Sequence, residues 1–312
     1  MAKKLRLQMQ TAMTFAEGFE EFILNCEARN LRPGTIRHYT DSIKQIYKYI
    51  PAETPIGEID EDVWDSFKVA LRANCALKDT SAYTYGRDLK TILRYFMKQG
   101  WTPQMDLQLQ KADKSPTETY TDEELRLLLK KPNVKKCGFT EYKCWVIVNF
   151  LLSTGVRQNS LVNIRICDVD FAADVIHVNV TKNRKPLIIP MNRDIRSILQ
   201  EYLKFRQAED DNEYLFCNEY GYKLVKSTLY HAMYEYNKKR GVERTGIHRF
   251  RHTFAKQWVL MGGNVVTLQK ILGHSSLEIT QNYLNLLVSD IAQDVEDFNV
   301  LRQFKSQSIK MK

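Results

Sequence analysis

Residues 248–283 read HRFRHTFAKQWVLMGGNVVTLQKILGHSSLEITQNY and carry three of the chain's six histidines, His248, His252 and His274. They also carry Arg249 and Arg251 and end on Tyr283. An arginine presents a planar, permanently charged fork of donors that matches two non-bridging oxygens of a phosphate. Histidines at 248 and 274 add groups that exchange protons near neutral pH. A tyrosine hydroxyl held against phosphorus can attack it and form a covalent ester. Binder, proton handlers and nucleophile together point to phosphodiester chemistry. Each residue also has an ordinary structural reading, because His-x-x-x-His on a helix is often a polar face and tyrosines are often packing residues. His248 and His252 are spaced like a helical zinc pair, but the zinc-hydrolase pattern needs Glu directly after the first His, and Arg249 stands there.

Working outward, the chain has 312 residues, which suggests two domains. Its 44% hydrophobic and 27% charged content is that of a globular protein. Lys and Arg number 46 against 37 Asp and Glu, a net +9, so an anionic partner is expected and nucleic acid before a membrane surface. No apolar run is long enough for a membrane span, and the basic start Met-Ala-Lys-Lys leads to no apolar signal core, so the expected location is cytoplasmic. Six cysteines without Cys-x-x-Cys pairs indicate neither a zinc ribbon nor a disulfide framework.

Helical spacing recurs from Phe15 to Ile23, from Ile36 to Tyr47 with Thr35 as the expected cap, from Val63 to Leu71 after Asp60, and from Ser81 to Gly100. These elements make residues 12–102 a four-helix domain after a tail of residues 1–11. Residues 103–119 turn polar and read as a linker. Thr121-Asp-Glu-Glu124 is a capping box that opens a second domain, 120–312. Within it a helix is expected over Glu141–Leu152 and stops at Gly155. A strand is expected over Asp168–Thr181 with a partner at Leu187–Pro190, so the basic Lys182-Asn-Arg-Lys185 forms a hairpin tip. Helices are expected again at Asp194–Arg206, Lys226–Arg240, His248–Met261, Val265–Leu272 and Leu277–Leu287, with a further packed helix through Leu301. The fold class is therefore mainly α, with a small β-sheet in the second domain.

Arg157, Lys182, the His248-x-x-Arg251 pair, His274 and Tyr283, in this order, resemble the catalytic set of the tyrosine site-specific recombinases (phage integrase family), in particular the simple two-domain Xer-like type. The resemblance covers nearly the whole chain. It implies a SAM-like core-binding domain and an α+β catalytic domain closing as a C-shaped clamp on double-stranded DNA. It implies that Arg157 and Arg251 hold the scissile phosphate, Lys182 protonates the leaving 5′ oxygen, His248 assists removal of the Tyr283 proton and His274 hydrogen-bonds the phosphate. Tyr283 would form a 3′-phosphotyrosyl link that conserves the bond energy, with neither cofactor nor metal. Lys185 is the rival to Lys182. The family usually has an acidic residue where this chain has Ser160, so what braces Arg157 is open, Asn159 being one candidate acceptor. His252 reads as a support for the arginines.

The resemblance further implies a homotetramer pairing two sites through a Holliday junction, a C-terminal helix docked on a neighbouring protomer, and accessory DNA-bending proteins as partners. No arm-binding domain is expected before the first helix, and the expected role is integration or excision of a mobile element, with inversion or chromosome-dimer resolution as alternatives. Two other classes share the pattern: a type IB topoisomerase, which relaxes DNA without pairing sites, and a DNA-binding protein with an inactive site.

Overall fold

The structure is a computed structural model that describes residues 12–109 and 118–281. Two compact units divide at Pro116 and Thr117. Tyr283 and the expected C-terminal helix lie outside the described residues.

The first unit is built from four helices, α1 (Phe15–Ala28), α2 (Pro33–Ile46), α3 (Glu61–Ala73) and α4 (Asp79–Gln99). Thr14 and Glu17 start α1 with a reciprocal capping box, so two amide donors that have no partner inside the helix are satisfied. Asp60 caps α3 through the Val63 amide at 3.0 Å. Thr35 does not cap α2: the helix starts two residues earlier, where the fixed φ of Pro33 suits a first turn that needs no amide donor. The fourth helix likewise begins at Asp79, ahead of Ser81. Phe15, Ile46, Trp64, Leu89, Ile92 and Phe96 are fully buried between the helices. The polar stretch beginning at 103 is not yet a free connection, because Leu107 is buried in this core and Met105 and Leu109 pack against it. Isolated apolar side chains in a polar run are enough to hold the chain down.

In the second unit α5 (Asp122–Leu129) follows the Thr121–Glu124 capping box. Helix α6 (Phe139–Thr154) is buried on nearly every side, from Tyr142 through Leu151, and α10 (Ile247–Leu260) packs along it. A helix that is apolar all round belongs at the centre of its unit. The remaining helices are the short α7 (Gln158–Leu161), then α8 (Arg193–Arg206), α9 (Lys226–Lys238), α11 (Val265–Leu272) and α12 (Leu277–Gln281).

The sheet differs from expectation. The run from Asp168 to Thr181 is not one strand but two, β1 (Val169–Asp170) and β2 (Val175–Val178), and β3 (Leu187–Pro190) pairs with β2. Both ladders are antiparallel, with Ile176 opposite Val169 on one side and Ile189 on the other. The break has a local cause: the Asp170 carboxylate accepts from the amides of Ala172 and Ala173, each at 2.8 Å, and folds the chain into a turn that ends with Asp174 in the left-handed region. Among the described residues no helix is long and apolar enough to cross a membrane.

Candidate active site

Helix α6 ends at Gly155, whose φ of +61° is the left-handed conformation that glycine adopts without steric cost. Glycine is required there for space as well. A Cβ at this position would lie 2.5 Å from Phe254 Cδ1 and 2.8 Å from Leu272 Cδ2. The turn leaves the Gly155 carbonyl facing α10, and Arg251 Nη1 donates to it at 2.7 Å. Arg251 Nη2 donates to the Leu272 carbonyl at 2.9 Å, at the end of α11 where carbonyls lose their helical partners. The guanidinium is thus buried, 5% exposed, and held in one orientation by two helix ends.

Arg157, two residues past the same glycine, lies beside it. Its Nη1 donates to Leu272 O at 3.3 Å and to Gly273 O at 3.5 Å. Those carbonyls are acceptors for Arg157 at the end of α11. Ser160 is engaged elsewhere, donating to Val180 O at 2.8 Å. Carbonyl acceptors of this kind orient a guanidinium without neutralising its charge.

His274 follows the left-handed Gly273 that ends α11. Its Nε2 lies 2.8 Å from Arg251 Nη2, and its Nδ1 lies 2.9 Å from Thr280 Oγ1. Arginine is only ever a donor, so Nε2 must accept and the proton sits on Nδ1, donated to the threonine. Burial first, then the charges of Arg251 and Arg157, push the His274 pKa down to about 4, so the ring is neutral at pH 7. His252 is pushed to about 4 as well, by burial first and then by His248 and Arg251.

His248, one turn before Arg251 on α10, is exposed as a residue, yet its ring is covered enough that burial is the first cause of its lowered pKa. Arg251, Arg157 and Lys182 are the further causes, which puts all three cations in electrostatic range of one imidazole. Lys182 stands exposed at the tip of the β2–β3 hairpin, where Thr181 Oγ1 donates to Lys185 O at 2.6 Å and Asn183 Nδ2 to Gly273 O at 3.4 Å. Arg157, Arg251, His274, Thr181, Asn183 and Lys185 line one cavity of about 360 Å³. Lys185 is part of the cavity wall, whereas Lys182 does not line the cavity and acts on His248 through its charge. Of the six residues named from the sequence, Arg157, Arg251 and His274 line this cavity, His248 and Lys182 lie within electrostatic range of the two arginines, and Tyr283 falls outside the described residues.

The profile of the phage integrase family matches residues 118–289, and that of the phage integrase SAM-like domain matches residues 14–113. The chain belongs to the phage integrase family. That membership makes it a tyrosine recombinase, an enzyme of site-specific DNA recombination. Tyrosine recombinase XerA of Pyrococcus furiosus is 27% identical over 292 residues, 92% of this chain and 95% of the relative. Among solved structures the fold is shared with the Tn1549 transposon integrase in complex with transposon right end DNA, at a TM-score of 0.73 and 20% identity over 92% of this chain and all of that one. It is shared too with a lambda integrase tetramer bound to a Holliday junction, at a TM-score of 0.68 and 16% identity over 88% of this chain and 78% of that one.

The sequence reading of the site missed Thr280 and the carbonyls of Gly155, Leu272 and Gly273. A glycine two residues before Arg157 and another directly before His274 were the available signal: each closes a helix and turns its last carbonyls toward the arginines.

Proposed function

We propose that this chain cuts and rejoins double-stranded DNA at specific sites through a 3′-phosphotyrosyl intermediate, in the service of integration or excision of a mobile element. One observation carries the reading: Arg157 and Arg251, from different elements, are oriented by the carbonyls of helix ends onto one cavity that His274 also lines. Attack on a phosphodiester builds negative charge on the phosphoryl oxygens, and two guanidinium groups fixed in advance stabilise that charge without reorganising. In this reading the Tyr283 hydroxyl attacks phosphorus, His248 takes its proton, and the 5′ oxygen leaves with a proton from Lys182. The new tyrosyl ester replaces the broken ester bond, so the step needs no external energy source. Reversal with the 5′ hydroxyl of another strand rejoins the DNA.

Exchange between two duplexes requires four strand cuts, and each chain brings one Tyr283. A homotetramer on a Holliday junction satisfies that stoichiometry, and the lambda integrase likeness supports it. The first unit positions the DNA and the second performs the chemistry, in the cytoplasm where the DNA is, with accessory DNA-bending proteins assisting synapsis.

The test lets the protein select its own target. Cells expressing the protein are lysed in denaturant, and DNA covalently held on it is sequenced. Wild type yields one short shared sequence and Tyr283→Phe yields none. An equal yield from Tyr283→Phe would overturn the nucleophile. Two recovered sites on one plasmid are then excised or inverted by a recombinase, whereas an enzyme that only relaxes DNA leaves their order unchanged.

A further inference from the structure

Thr280 is fully buried on the short helix α12, and its hydroxyl lies 2.9 Å from His274 Nδ1. A buried hydroxyl needs a partner, and an imidazole offers a donor or an acceptor depending on its tautomer. Arg251 decides which, because its Nη2 can only donate to His274 Nε2. The three side chains form a directed chain: the arginine donates to Nε2, and Nδ1–H donates to the threonine oxygen.

We propose that Thr280 is a positioning residue whose hydroxyl accepts from His274 Nδ1–H, reinforces the tautomer that Arg251 sets and so keeps the basic nitrogen, Nε2, aimed at Arg251 and the phosphate cavity. Without that hydroxyl the proton on Nδ1 loses this acceptor, a cost that works against the preference set by the Arg251 donor. With it, Nε2 is the nitrogen that takes up a proton when an anionic phosphate enters between Arg157 and Arg251 and offsets their charges. His274 then holds a proton at each nitrogen, one bonded to Thr280 and one to the phosphate oxygen. Thr280 also stands three residues before Tyr283, so the segment that carries the nucleophile is the one that reports to the histidine. The tautomer assignment stands on geometry alone, while its use in cleavage rests on the phosphotyrosyl reading above.

The experiment compares Thr280→Val, which keeps the shape and loses the hydroxyl, with Thr280→Ser, which keeps the hydroxyl. ¹⁵N spectra of the DNA-free full chain read the His274 tautomer, and single-turnover cleavage of the duplex recovered from wild-type covalent complexes reads the rate. Wild type and Thr280→Ser show a protonated Nδ1 and a bare Nε2 and cleave within about threefold of each other. Thr280→Val shows a mixed tautomer population and cleaves at least tenfold more slowly, with DNA binding unchanged. A wild-type Nε2–H, a Thr280→Val rate equal to wild type, or equal losses in both variants would overturn the proposal. If the tautomer responds as stated but wild type forms no covalent complex, the phosphotyrosyl reading fails and the positioning role remains.

Discussion

Replacing Gly155 by alanine tests whether the turn after α6 is what holds the arginine clamp. Two costs can be separated. The backbone sits at φ +61°, where a residue with a Cβ is disfavoured by about 1–2 kcal/mol. The new methyl would also lie 2.5 Å from Phe254 Cδ1 and 2.8 Å from Leu272 Cδ2, inside a small packed cluster with Ala255, Val259 and Leu268. Overpacking of this kind costs about 1–3 kcal/mol. Gly273→Ala is the internal control: its φ is +59°, but a Cβ there meets nothing closer than Leu187 Cδ2 at 3.5 Å, an ordinary contact. The two variants share the backbone cost, so their difference isolates packing. For a unit of this size each kcal/mol lowers Tm by about 2–4 °C. Calorimetry should therefore place the second-unit transition of Gly155→Ala about 2–12 °C below that of Gly273→Ala. The displaced carbonyl also lets Arg251 move, so cleavage should fall more in Gly155→Ala at a temperature where both variants are folded. A Tm for Gly155→Ala at or above that of the control would refute the steric argument.

Arg251→Lys keeps the charge but loses the fork that reaches Gly155 O, Leu272 O and His274 at once; single-turnover cleavage should drop about 10²–10³-fold, as for removal of one donor to a developing oxyanion, while a retained rate would remove Arg251 from the clamp. Lys182→Ala should cleave slowly and recover on DNA whose leaving 5′ oxygen is replaced by sulfur, which departs without a proton; recovery in Lys185→Ala instead would transfer the role to the neighbouring lysine. The buried histidines set a pH dependence: His252 and His274 bind protons near 6.5 when unfolded but only near 4 when folded. The unfolded state thus holds more protons between those values, and stability of the second unit is full above about pH 6.5 and falls as pH drops toward 4. Thermal melts from about pH 7 to about pH 5 should show this slope, and His252→Asn should flatten it; an unchanged slope would assign the effect to other groups.

Much of the architecture was legible because its signals are local. The helical spacing of Phe15, Phe19 and Phe22, the Asp60 and Thr121 caps and the glycine stops at 100 and 155 depend only on neighbours a turn away, and the helices formed where those residues said. The errors were local competitions that spacing does not reveal. Pro33 outranked Thr35 as a helix start, and the Asp170 carboxylate captured two amides and split a strand that hydropathy alone read as continuous. The stretch after 103 is a different case: Leu107 and Leu109 stand out as apolar in a polar run, and only the core that Leu107 enters shows that they pack there.

The site divides in the same way. Residue chemistry by itself pointed to the two arginines, the two histidines and the lysine loop, because charge, donor geometry and proton affinity are properties of side chains, and their order carried the resemblance to the family. What holds those side chains was decided only by the tertiary structure. The carbonyls of Gly155, Leu272 and Gly273 are backbone atoms that every residue possesses, and they become arginine acceptors only where two helix ends meet. The proton on His274 is likewise invisible in the sequence, since a tautomer is set by what lies against each nitrogen, here Arg251 on one side and Thr280 on the other.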